Sequence, residues 1–146
     1  MKYTCSIDIN LPLEKTVKLW EDENNFKHWQ DGFESIKHLS GLPHTVGATS
    51  KIVLNSNQKI ELLETILVSN LPHEKTALYE HKHMTNTQTT RFIAIDTYKT
   101  QYVSEIEYTK FNGFFIKIIA KLFPSKFKAQ SEKWMLQFKT FAESNN

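Results

Sequence analysis

Ser6 to Trp29 reads SIDINLPLEKTVKLWEDENNFKHW. Its opening letters complete a stretch, Lys2 to Asn10, in which Tyr3, Cys5, Ile7 and Ile9 alternate with Thr4, Ser6, Asp8 and Asn10. Period-two alternation predicts a half-buried strand. Pro12 follows where the first turn of a helix tolerates it, and Leu13, Val17 and Trp20 recur at helical spacing behind Glu14. A second short helix is predicted from about Glu23, anchored by Phe26 and Trp29 and stopped before Gly32. The fold therefore begins as a strand followed by two short helices.

The next eighty residues read as strands. Phe33 to Leu39, Val46 to Asn55, Lys59 to Leu71, Glu74 to Met84, Gln88 to Asp96 and Thr100 to Lys110 are separated by turn residues such as Ser40-Gly41-Leu42-Pro43 and Asn55-Ser56-Asn57. In the last, Tyr102, Ser104, Ile106 and Tyr108 alternate with Gln101, Val103, Glu105 and Glu107. The glutamates belong in water, so the tyrosine face points inward. Six consecutive strands with short connections make an antiparallel meander, and the first strand raises the total to seven.

After Asn112-Gly113 the chain turns helical. Phe114, Phe115, Ile118, Ile119, Leu122 and Phe123 form an apolar stripe, Pro124 is expected to break or kink the helix, and Phe127, Trp134, Met135, Phe138, Phe141 and Ala142 continue it. The expectation is one long amphipathic C-terminal helix, both stripes against a concave sheet. From Lys110 onward there are seven lysines against Glu132 and Glu143, which places the excess positive charge on the helix's outer face.

The chain has 146 residues, 40% of them hydrophobic and 23% charged, which predicts a single domain over 1–146 with a real core. A lone cysteine, Cys5, excludes an internal disulfide and reads as a buried structural thiol. No apolar leader opens the sequence, and no apolar run reaches the roughly 18 residues of a membrane span, so the cytoplasm is the expected compartment. Arg91 is the only arginine, which speaks against a nucleic-acid partner.

The order of elements resembles the α+β helix-grip fold of the START-related superfamily, also called SRPBCC or polyketide cyclase/dehydrase-like. The resemblance rests on Ser6–Trp29, on SGLPHTVGATSKIVL from Ser40 to Leu54, on IDTYKTQY from Ile95 to Tyr102 and on the closing LQFKTFAES, and it covers the whole chain. It implies a seven-stranded curved antiparallel sheet wrapped around the C-terminal helix, with an elongated apolar cavity between them. Members bind lipids, sterols, quinones, polyketides and plant hormones, and some are enzymes.

Individual residues add little chemistry. His81 and His83 form an H-x-H pair, read as sharing a strand face with Tyr79; a metal would need a third ligand, and His73 and Glu64 are the only distant candidates. Arg91 faces either inward, toward a ligand carboxylate, or outward, toward a surface acid. No nucleophile elbow or phosphate loop occurs, so no catalytic residue, metal or cofactor is assigned. The leading expectation is a small binding protein for a hydrophobic molecule such as a lipid, quinone or polyketide. Its lining is expected from Trp29, Leu54, Ile66, Tyr79, His81 and Phe92, and from Tyr102, Ile106, Phe115, Ile119, Phe127 and Trp134. Two alternatives stand beside it. One is a cyclase- or hydratase-like enzyme using an inward His or Tyr; the other is a protein- or membrane-interaction module acting through the lysine-rich C-terminal helix. The oligomeric state is left open.

Overall fold

The computed structural model describes residues 1–145. Strand β1 (Lys2–Ile9) leads into helix α1 (Leu13–Glu21), a 3-10 turn (Glu23–Asn25) and the single-turn helix α2 (Phe26–Trp29). The strands β2 (Phe33–Ser40), β3 (Thr49–Asn55), β4 (Lys59–Asn70), β5 (Glu74–Glu80), β6 (Met84–Asp96) and β7 (Lys99–Phe111) follow without interruption. They form one antiparallel sheet in the order β1-β7-β6-β5-β4-β3-β2, so the meander ends with β7 pairing back to β1, and β1 and β2 are the two edges. The expected seven-stranded helix-grip architecture is present.

The alternation in β7 puts Thr100, Tyr102, Ser104 and Ile106 inside, each buried, and leaves Glu105 and Glu107 outside. The same register settles Arg91. It lies on the outer face of β6, where its guanidinium reaches Glu105 at 3.2 Å and Glu74 at 3.8 Å. These are surface pairs of modest worth.

The C-terminal helical region breaks at Pro124 as the sequence predicts, but its two parts pack differently. It is two helices, α3 (Phe114–Leu122) and α4 (Pro124–Ser144), because Pro124 has no N–H to continue α3 and instead occupies the first turn of α4. Only α4 is gripped. Its Met135, Phe138 and Ala142 are buried, and its other face is fastened by Lys133 Nζ to the Asp31 carboxylate at 2.7 Å and by Trp134 Nε1–H to the Asp31 carbonyl at 3.2 Å. On α3 no residue is fully buried, and Phe114, Phe115, Leu122 and Phe123 are exposed. Most of the stripe expected against the sheet thus faces outward, Ile119 excepted, with Ile116 and Ala120 half-buried on the opposite side.

The core sits at one end of the grip. Trp20, Trp29, Phe92, Tyr102 and Phe138 pack stacked, tilted or edge-to-face, with ring centroids 5.0–6.4 Å apart. Trp20 Nε1–H donates to the Tyr102 hydroxyl at 3.1 Å, and Thr100 Oγ1 donates to the Leu11 carbonyl at 2.8 Å, tying the entry of α1 to the sheet. Cys5 is buried beside this cluster, and burial raises its thiol pKa, as suits an unreactive structural thiol.

Candidate functional site

Toward the other end, sheet and helix diverge and leave a cavity of about 400 Å³. The space follows from side-chain size. Ser104, Gln88 and Asn86 occupy inward positions where a large apolar residue would take up more of the space. The aromatic cluster forms the floor, with Trp20, Trp29 and Tyr102 exposing edges to the cavity. Ile52 and Leu54 of β3, Ile60 and Leu62 of β4 and Ile106 of β7 form the wall. Ile119, Phe127, Trp134 and Met135 form the roof. Tyr3 closes one side by hydrogen bonding Ser131 Oγ at 2.8 Å and donating to the Phe127 carbonyl at 3.1 Å.

Of the residues expected to line a ligand site, Trp29, Leu54, Tyr79, His81, Tyr102, Ile106, Ile119, Phe127 and Trp134 surround this space. Three do not. Ile66 has the inward parity of Leu62 and Glu64, but the chain at Gly47-Ala48 pairs with its backbone and seals it into a separate cluster with Ala77. Phe92 is taken up by Trp20 and Tyr102 within the core. Phe115 is 80% exposed on α3.

Polar side chains interrupt this apolar lining. The Tyr79 hydroxyl donates to Glu64 Oε2 at 2.8 Å. Burial raises the Tyr79 pKa well above its ordinary value, and the adjacent Glu64 carboxylate pushes it the same way. Lys75 also faces inward, its Nζ 5.3 Å from the centre of the Trp20 ring. Two buried polar atoms of the lining, Trp29 Nε1 and Ser104 Oγ, have no hydrogen-bond partner among the described residues. A buried polar atom without a partner is uncommon and costly.

The histidine pair lies elsewhere than expected. Strand β5 ends at Glu80, so His81 and His83 belong to the β5–β6 turn rather than to a strand face. Their ring centroids are 5.4 Å apart, and the His83 backbone N–H donates to His81 Nδ1 at 3.2 Å. Burial, and then His83, lower the His81 pKa. His73 is exposed in the β4–β5 turn and Glu64 is engaged by Tyr79. Among the described residues no group of three metal-ligating side chains comes together.

Glu64, Lys75, Gln88 and Asn86 are among the cavity residues that the sequence reading did not assign to it, as are the apolar Trp20, Ile52, Ile60, Leu62 and Met135. The signal is parity: Lys75 shares a strand face with Ala77 and Tyr79, and Glu64 with Leu62 and Ile66.

No family model matches the sequence, and no curated protein matches it either. Solved structures do match. TTHA0849 from Thermus thermophilus superposes with a TM-score of 0.80 at 16% identity, over 100% of this chain and 99% of that one. The Zhui aromatase/cyclase from Streptomyces sp. R1128 gives 0.80 at 8% identity, over 98% and 93%. A START superfamily protein from Mycobacterium smegmatis gives 0.77 at 8% identity, over 99% of each chain. The chain has the helix-grip fold. At these identities the likeness defines the scaffold and leaves function to the site. No helix among the described residues is long and apolar enough to cross a membrane.

Proposed function

We propose that this protein binds one hydrophobic small molecule in the cavity between the sheet and α4, and that the molecule carries an oxygen-containing polar group. The observation that carries this reading is the cavity itself: its volume falls in the range of roughly 300–1,000 Å³ used by small-molecule sites, and its lining is mainly aliphatic and aromatic. Unpartnered Trp29 Nε1 and Ser104 Oγ supply a donor and a hydroxyl for the ligand's oxygen. The apolar wall takes the body of the molecule. The similarity to START and aromatase/cyclase structures supports the class of ligand without defining the compound. A cytoplasmic setting belongs to the same reading.

Native mass spectrometry of the protein purified from its own source tests it. The expected result is a retained small molecule at one per chain, displaced by an apolar fluorophore such as anilinonaphthalene sulfonate. An unadducted protein that also fails to bind the fluorophore would overturn the proposal. Filling the space with Ile106→Trp should abolish fluorophore binding while a cooperative melting transition remains.

A second reading, cyclase-type catalysis in the same cavity, is favoured by the Tyr79–Glu64 hydrogen bond. The Tyr79 hydroxyl directs its one proton at Glu64 and so positions that carboxylate, which is suited to take a proton from a bound substrate as a general base. Turnover of a bound ligand that is lost in Glu64→Gln, with binding retained, would select this reading over simple binding.

A further inference from the structure

We infer that α3 and the start of α4 form a docking face for a bilayer containing anionic lipids. The first observation is the orientation of α3. Its apolar stripe turns away from the protein: Phe114 is 74% exposed, Phe115 80% and Leu122 62%, and Phe123 beside Pro124 is 48% exposed. A contiguous surface of large apolar side chains on a single helix marks an interaction site, unlike apolar residues scattered singly. Gly113, at φ +104°, starts α3 in a conformation open to glycine, so the change of direction from β7 that aims this stripe outward is written into the backbone.

The second observation is charge, and it selects the occupant. Lys110, Lys117, Lys121, Lys126 and Lys128 accompany the aromatic stripe, and between Glu107 and Glu132 the chain has no acidic residue. Lysines flanking exposed Phe and Leu on a short helix are the composition of an interfacial helix. The apolar side chains enter the boundary between headgroups and acyl chains, while the ammonium groups meet lipid phosphates. None of these five lysines forms an ion pair among the described residues, which leaves their charge to an anionic partner. The third observation is continuity: Ile119, on the same helix, and Lys126, at the start of α4, also line the cavity. The docking face therefore adjoins the cavity rim. The proposal stands on the surface of α3 and does not depend on the cavity being occupied.

Sedimentation with lipid vesicles tests it, using phosphatidylcholine alone and equal parts phosphatidylcholine and phosphatidylglycerol. The full chain should partition onto the anionic vesicles more strongly by roughly tenfold or more, and added salt should erode the difference. Replacing Phe114→Ser and Phe115→Ser together should release the protein, as should Lys117→Glu with Lys121→Glu. All four side chains are exposed, so the melting transition and fluorophore binding in vesicle-free solution should be unchanged. Equal partitioning onto both vesicles, or onto neither, would overturn the inference. So would anionic binding that survives the phenylalanine pair. Self-association without vesicles that those substitutions abolish would assign the face to a second copy of the chain instead.

Discussion

The Tyr79 hydroxyl and the Glu64 carboxylate meet directly across the β4–β5 pair, at matched register positions, with 2.8 Å between their oxygens. The sheet's pairing therefore brings a phenol and an acid together on the cavity wall. Removing the donor leaves a carboxylate facing apolar neighbours, whereas neutralising the acceptor leaves the bond possible. Tyr79→Phe should cost about 1–3 kcal/mol, and Glu64→Gln clearly less. Urea midpoints at a constant slope decide it, and a larger loss in Glu64→Gln would contradict this account.

Ser104 separates stability from binding. Its buried hydroxyl has no partner among the described residues, so Ser104→Ala should leave the free protein as stable or up to about 1 kcal/mol more so. The same change should narrow the preference for a naphthol over naphthalene, which a single hydrogen bond sets at about three- to tenfold. Thermal melts and probe displacement measure the two effects independently.

His81 lines the cavity with its pKa below the ordinary 6.5. The unfolded chain thus takes up the proton first as pH falls. The stability tied to neutral His81 is complete above the unfolded value, declines once pH drops below it and is lost as pH falls through the lower folded value. Apolar ligand affinity should weaken in the same acid window, because protonation places a charge on the lining. Imidazole NMR shifts should give a midpoint below 6.5 that moves upward in His83→Ala; a midpoint above 6.5 would refute the assignment.

Glu143 couples the last helix to the first strand, accepting from Lys139 Nζ at 2.7 Å and from the Asn10 backbone N–H at 3.0 Å. Partial burial alone would raise its pKa; the hydrogen bonds from Lys139 and Asn10 outweigh it, and the net shift is downward. Its contribution is present above the unfolded carboxylate pKa and disappears as pH falls through the folded one. Glu143→Gln should flatten the acid limb of the stability curve, read by circular dichroism.

The two helical phenylalanines Phe138 and Phe115 should behave oppositely. Phe138 is fully buried among Trp29 and Tyr102, and Phe138→Ala should cost about 3–5 kcal/mol. Phe115→Ala, at 80% exposure, should stay within about 0.5 kcal/mol. Similar losses at both positions would mean that α3 packs as the sequence alone suggests.

That contrast marks the limit of what the sequence tells. Alternation in β1 and β7 was sufficient to place Cys5, Tyr102, Ser104 and Ile106, because one wrong register would expose an entire face. Helical periodicity identified the stripe from Phe114 to Phe123 equally well, but an apolar face does not announce what covers it. The cavity's charged residues escaped for a related reason. Glu64 and Lys75 are residue types that ordinarily sit in water, and only their parity with Leu62 and Tyr79 reveals that they face inward. Phe92 and Ile66 were correctly inward but already occupied, by Trp20 and by Ala77, which depends on packing in three dimensions.

The pairing of β1 with β7 has a consequence for the protein's synthesis. Lys2 to Ile9 find their partners only at Thr100 to Glu107, so the first strand emerges long before the strand it needs. Until then Tyr3, Cys5, Ile7 and Ile9 form an apolar edge on a nascent chain, and the sheet stays incomplete. Folding should therefore wait for the last strand and then proceed with the slowness of a fold dominated by distant contacts, which makes the growing chain, more than the finished one, the form in need of a chaperone.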